Sequence, residues 1–204
     1  MSDDATPADD RRPDDVSRPN DGRRHEPLEE PEWPVIESAV EYETGWFVGG
    51  YDLVEQPDGG RKKYYWAELA TAVVVVAVTD GRVLFVEQYR PTIRETQLEL
   101  PAGIVEAGES FTAAGTRELR EETGFEASSA SLLQDVWCST GLLRHRRGYV
   151  FAEGLEPAER SLDANEFLTP RAVSVEEALA VARAEPTNDA TVEGLLLARD
   201  EGLL

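Results

Sequence analysis

The chain has 204 residues, 41% of them hydrophobic, enough for one well-cored domain with extensions. Its formal net charge is −21, from 41 acids against 20 bases, which argues against non-specific binding to nucleic acid or to an anionic membrane. One cysteine, Cys138, excludes an intrachain disulfide and fits a reducing cytosol.

The acids are spread along the whole chain, and lysine occurs only at Lys62 and Lys63. Both features fit a saline cytoplasm, where salt screens self-repulsion. The N-terminus carries aspartates and arginines in place of an apolar leader. The longest apolar run, residues 72–78, is far too short to span a bilayer. The reading is a soluble cytoplasmic protein.

Residues 1–32 are rich in Asp, Arg, Pro and Asn and read as a disordered acidic tail. Residues 33–69 form an N-terminal β extension, with strands over 35–42, 46–55 and 61–69. Gly49 and Gly50 bend the second strand, and the turn signal Pro57-Asp58-Gly59-Gly60 precedes the third. Three short strands are marginal alone, so they are expected to pack on the main domain or on a second subunit.

Residues 70–204 form the main domain. The β-branched run 71–78 predicts a strand buried on both faces. Asp80-Gly81 turns it into a partner over 82–89, and another strand follows over 95–100. Pro101-Ala102-Gly103 opens a loop into a helix capped by Ser110 and ended by Gly124. Strands over 131–137, 149–152 and 167–174 come next, then helices over 175–184 and 190–199, the last capped by Thr187 or Asn188. This order predicts an α+β or α/β/α sandwich with a mixed sheet.

The segment 103–125, GIVEAGESFTAAGTRELREETGF, holds five glutamates: Glu106, Glu109, Glu118, Glu121 and Glu122. On a helix Glu118, Glu121 and Glu122 share one face, at i, i+3 and i+4. Crowded carboxylates repel one another. Three arrangements relieve that: a hard cation such as Mg²⁺ or Mn²⁺, neutralisation by Arg117 and Arg120, or a solvated acidic face.

Read in order, the segment is Gly103, Glu109, Arg117-Glu118-Leu119, Glu121-Glu122 and Gly124-Phe125, and it resembles the Nudix box of the Nudix hydrolases at every defining position. The flanks Glu87-Gln88-Tyr89-Arg90 and Leu98-Glu99-Leu100-Pro101-Ala102-Gly103 resemble the ADP-ribose pyrophosphatase branch. The resemblance runs from about Trp46 onward. It implies an α/β/α sandwich that hydrolyses the pyrophosphate bond of a nucleoside diphosphate linked to another group, most simply ADP-ribose or another nucleotide sugar. A nucleoside triphosphate sanitiser and a non-catalytic nucleotide sensor are the alternatives.

The resemblance also assigns roles. Glu118, Glu121 and Glu122 match metal-binding glutamates for Mg²⁺, with Mn²⁺ as a substitute, and the Ala102 carbonyl is a further ligand. Arg117 holds the glutamates in place, while Glu109 is structural. Gly103 and Gly124 serve a tight entry and a helix stop. The base that activates water falls in residues 159–169, with Glu166 first, then Asp163 and Glu159. By its bidentate guanidinium Arg90 suits a phosphate, with Arg94 as a weaker candidate for the same work, and Glu99 sits where the branch recognises the nucleoside; the alternative for Arg90 and Glu99 is a partly exposed sheet-end pair.

One departure stands out. Where the branch carries a proline, then glycine and acids, this chain has Thr140, Gly141 and the basic run Arg144-His145-Arg146-Arg147. That run either binds substrate phosphates or pairs with acids of the same or another subunit. The partners expected are a small nucleoside diphosphate derivative and a second copy, through the N-terminal strands as in related pyrophosphatases.

Overall fold

The computed structural model describes residues 32–162 and 166–204; the expectation of a disordered tail, but for Glu32, and Asp163 lie outside the described residues. In chain order the strands are β1 (Val35–Glu43), β2 (Phe47–Glu55), β3 (Arg61–Leu69), β4 (Ala72–Thr79), β5 (Arg82–Arg90), β6 (Glu95–Glu99) and β7 (Ala102–Ile104). Helix α1 (Phe111–Thr123) follows, then β8 (Phe125–Trp137), β9 (Leu143–Arg144), β10 (Arg146–Pro157) and β11 (Leu168–Ser174). Helices α2 (Val175–Ala182) and α3 (Asp189–Asp200) close the chain.

Seven strands form the main sheet, in the order β11-β5-β4-β10-β8, with β6 beside β5 and β7 beside β4. Only β10 and β4 run parallel in it, so the sheet is mixed. Alternation along the central strands builds two layers. Val74 and Val76 of β4 join Phe85, Tyr149, Phe151, Ala178 and Leu195 in a core with α2 and α3. Val75 and Ala77 join Leu84, Ala152 and Leu119 of α1 on the opposite face, and Val73 joins Ala114 and Val150 there. The architecture is an α/β/α sandwich, and the unbroken valine run of β4 is explained by burial on both sides.

Two expectations are corrected. The loop foreseen at residues 101–103 contains β7, paired with β4 through Val73–Gly103 and Val74–Ala102. Strands β8 and β10 are longer than foreseen, because they pair with each other from Trp137–Arg146 down to Phe125–Pro157; the polar stretch 126–131 carries little strand signal by itself. Of the two caps foreseen for α3, Asn188 takes the role, its side chain accepting from the Thr191 N–H at 2.9 Å, while the Thr187 hydroxyl donates to the Ala182 carbonyl.

The N-terminal strands form a separate sheet, β1-β2-β3-β9, whose fourth strand comes from the main domain. Arg144 of β9 fastens that junction. Its guanidinium pairs with Asp52 of β2 and lies 3.9 Å from the centre of the Trp66 ring. Asp52 also accepts from the Ser38 hydroxyl at 2.6 Å and from the Trp66 indole at 3.2 Å. Burial opposes ionisation of Asp52, but these donors and the arginine charge outweigh it and hold its carboxyl below the usual range. A depressed carboxylate stabilises the fold above the unfolded pKa and loses that contribution as pH falls through the folded value. Stability should therefore decline on acidification below about pH 4. Asp52→Asn should remove part of that decline in urea unfolding at stepped pH, and an unchanged acid limb would count against the assignment.

Candidate active site

Helix α1 carries most of the acids. Ser110 caps it, accepting from the Ala113 N–H at 3.1 Å, and Gly124 ends it with φ of 75°. Between these ends the register turns Glu118 and Glu122 inward, with exposures of 8% and 2%, next to the wholly buried Leu119. Glu121 lies at the rim, its side chain 37% exposed.

Arg117 organises the group. Nε and Nη2 bond both oxygens of Glu109, each at 3.1 Å. Nη1 reaches Glu118 at 2.8 Å and Glu121 at 3.0 Å, and Nη2 also donates to the Ile104 carbonyl at 2.9 Å. All five guanidinium N–H groups are thus engaged. The bonds to Glu109 lead in pushing Arg117 further into its charged form. The expectation that Arg117 holds the glutamates and that Glu109 is structural agrees with these contacts.

Glu122 stands outside Arg117's reach. It accepts a hydrogen bond from the Ala102 N–H at 3.0 Å. Burial pushes its carboxyl up to about 8, against that bond, and the charges of Glu118 and Glu166 push the same way. Arg90 pulls it back. Burial likewise raises Glu118, with Glu121 and Glu166 adding to the shift against Arg117. These mutual effects place Glu118, Glu122, Glu166 and Arg90 in one electrostatic neighbourhood, with the Ala102 backbone beside them.

Room for this depends on Gly103. A Cβ there would fall 2.0 Å from the Glu118 carboxyl. Its φ is not positive, so the glycine serves close approach rather than the tight turn expected of it.

Among the described residues no three acids converge into a ready-made metal cage. The hydrogen bonds give the reason. Arg117 draws Glu118 and Glu121 together, while Glu122 turns to Ala102. The residues still fit a hard divalent ion. The donors are all oxygen, two are buried, and burial pushes both of those toward the neutral form, a cost that a bound cation would offset.

Arg90 and Glu99 lie on adjacent strands. Arg90 Nε and Nη2 both bond one Glu99 oxygen, at 2.8 and 2.6 Å. Gln88 donates to the same oxygen at 2.9 Å, and Asn188 donates to Gln97 at 3.0 Å and to Glu99 at 3.4 Å. Glu99 is therefore spoken for within the chain. Gln97 and Asn188 were missed as parts of this network; the only signal for Asn188 was its capping position. Arg94 sits exposed at the β5–β6 turn with φ of 60°, and no hydrogen bond or ion pair joins it to the acids among the described residues. Glu159 is exposed too, lining a cavity of about 680 Å³ with Arg117 and Glu121.

The basic run resolves into intrachain pairs. Arg144 meets Asp52, Arg146 meets Asp135, and Arg147 meets Asp189 at 3.3 Å and the Tyr149 hydroxyl at 3.2 Å. His145 is buried and donates from Nδ1 to the Ala70 carbonyl at 2.8 Å.

A family model described as the NUDIX domain matches residues 68–195. The chain is 35% identical over 140 residues to an ADP-ribose pyrophosphatase of Bacillus subtilis (strain 168), covering 67% of this chain and 76% of that protein. It is 34% identical over 131 residues to a methanol dehydrogenase activator of Bacillus methanolicus, covering 63% and 71%. A crystal structure of an ADP compounds hydrolase superposes with a TM-score of 0.78 over 85% of this chain and 97% of that one; at 22% identity this likeness shows the fold.

Gly103→Ala tests the geometry. The added methyl must displace the flexible tip of Glu118, so divalent-cation affinity by titration calorimetry should fall more than about tenfold. The melting temperature should move by only a few degrees, and parental affinity would show that the position of Glu118 does not matter.

Proposed function

We infer the reaction from membership: the chain belongs to the Nudix hydrolase family, in its ADP-ribose pyrophosphatase-like branch. It is an enzyme that hydrolyses the pyrophosphate bond of a nucleoside diphosphate linked to another moiety, of the ADP-ribose type. The observation that carries this reading is the buried pair Glu118 and Glu122, charge-coupled to Glu166 and Arg90 within the matched domain.

In this proposal Glu118, Glu121, Glu122 and the Ala102 carbonyl hold Mg²⁺, or Mn²⁺ in its place. Bound there, the ion would supply neutralisation of diphosphate charge and acidification of a water. Arg90, oriented by Glu99 and Gln88, supports one phosphate with its half-exposed guanidinium. Glu166 accepts the proton of the attacking water. The phosphorus–oxygen bond to the bridging oxygen breaks, and ADP-ribose yields AMP and ribose 5-phosphate. Arg94 is a secondary phosphate contact.

No helix among the described residues is long and apolar enough to cross a membrane. The net charge of −21 supports a cytoplasmic setting of high salt and disfavours nucleic-acid or anionic-membrane partners. Strand β1 supports a homodimer: Val35, Ile36, Val40 and Tyr42 are all exposed on a sheet edge. Light scattering in molar KCl should return twice the chain mass; a monomer would remove the dimer.

Glu122→Gln tests the reaction itself. It keeps an acceptor for the Ala102 N–H, so the fold should survive. Turnover of ADP-ribose with Mg²⁺ should fall at least about 100-fold, and chelation should stop the parent enzyme. Undiminished turnover in the variant would defeat the assignment.

A further inference from the structure

The last turn of α1 is completed from outside the helix. Its terminal carbonyls need donors that the helix itself no longer supplies. The Ser161 N–H reaches the Glu121 carbonyl at 3.3 Å, and the Ala158 N–H reaches that of Gly124 at 2.8 Å. Between them Arg160 Nε donates to the Glu122 carbonyl at 2.7 Å. Gly124 permits the approach, since a Cβ there would lie 3.3 Å from that of Arg160. Residues 158–161 are thus bound along the carboxyl end of the helix that carries Glu118 and Glu122.

Arg160 does more than cap. Its Nη2 donates to the Leu168 carbonyl, also at 2.7 Å. Leu168 is the first residue of β11 and lies two positions beyond Glu166. A single planar guanidinium therefore ties the main chain at Glu122 to the main chain beside Glu166. Both bonds are short and charge-assisted, and the fork admits little freedom between its two carbonyls. The Arg117 cluster fixes the helix acids among themselves. It has no bond to the segment that carries Glu166 among the described residues. Such a bond is what Arg160 supplies.

We propose that Arg160 is a positioning residue of the hydrolysis, holding the loop acid Glu166 at working distance from the helix acids by bridging the carbonyls of Glu122 and Leu168. In this role it acts through the two main-chain carbonyls and not on the reacting atoms. The proposal rests on the reading of Glu166 as the base.

A double-mutant cycle in the full chain, assayed with ADP-ribose and Mg²⁺, tests it. Arg160→Ala should lower kcat by about 10–100-fold, as loss of a supporting contact does, with KM within about threefold of the parent. Arg160→Lys, which keeps the charge but not the fork, should restore only a minor part. In a Glu166→Gln background, itself crippled, Arg160→Ala should cost less than about threefold more, because the acid it positions is already disabled. A residue that merely caps the helix would give losses that multiply. Should Arg160→Ala melt below the assay temperature, Arg160→Gln, which retains a donor for one carbonyl, carries the same cycle.

Parental kcat in Arg160→Ala beside a crippled Glu166→Gln would overturn the positioning role, as would multiplying losses. Parental kcat in Glu166→Gln would show instead that Glu166 is not the base. The proposal would then fall with that reading, and the single variant would identify which of the two had failed.

Discussion

The structure depends on the five donors of Arg117. Four glutamates within fourteen residues, three of them on one helix face, repel one another strongly enough to oppose folding of the segment. Arg117 answers three of them directly and ties the group to β7 through the Ile104 carbonyl. Lysine would not serve, because a point charge with three donors cannot reproduce a fork that meets three carboxylates and a carbonyl at once. The fourth acid, Glu122, is left with a backbone N–H and a raised pKa. The residual electrostatic cost is concentrated there, and that is where a divalent ion has most to offset.

The two layers of the sandwich meet at the end of the sheet and divide the work. From one side α1 brings Glu118 and Glu122 up to β7. From the other, the N-terminus of α3 brings Asn188 to Gln97 and Glu99 on β6. Strand β5 carries Gln88 and Arg90 between them. Acids that suit a cation and an arginine that suits a phosphate are thus set side by side by elements packed on opposite faces. A diphosphate bound to a divalent ion needs both kinds of group, held rigidly.

The basic run 144–147 bears on substrate choice. In the sequence it reads equally as a phosphate-binding run or as one that pairs with acids of the same or another subunit. The structure gives each arginine an acid of the same chain: Asp52, Asp135 and Asp189. The run fastens the N-terminal sheet, β8 and α3, and so does not weigh against an ADP-ribose type of substrate. Thr140, in place of proline, is the part of the departure that no contact explains.

What the sequence determined alone was whatever depends on near neighbours. Helix α1 with its Ser110 and Gly124 caps, the doubly buried β4 and the shared face of the three glutamates follow from local periodicity and capping chemistry. Tertiary structure decided the rest. The Arg144–Asp52 and Asn188–Gln97 contacts join residues 92 and 91 positions apart, and β9 enters the N-terminal sheet only by tertiary pairing. The sequence leaves Glu99 between a nucleoside contact and a sheet-end pair; strand register sets Gln88 and Arg90 against it. No local pattern encodes such meetings, because charge and hydrogen-bond partners are chosen by which strands lie side by side, and that is settled by burying both faces of one sheet.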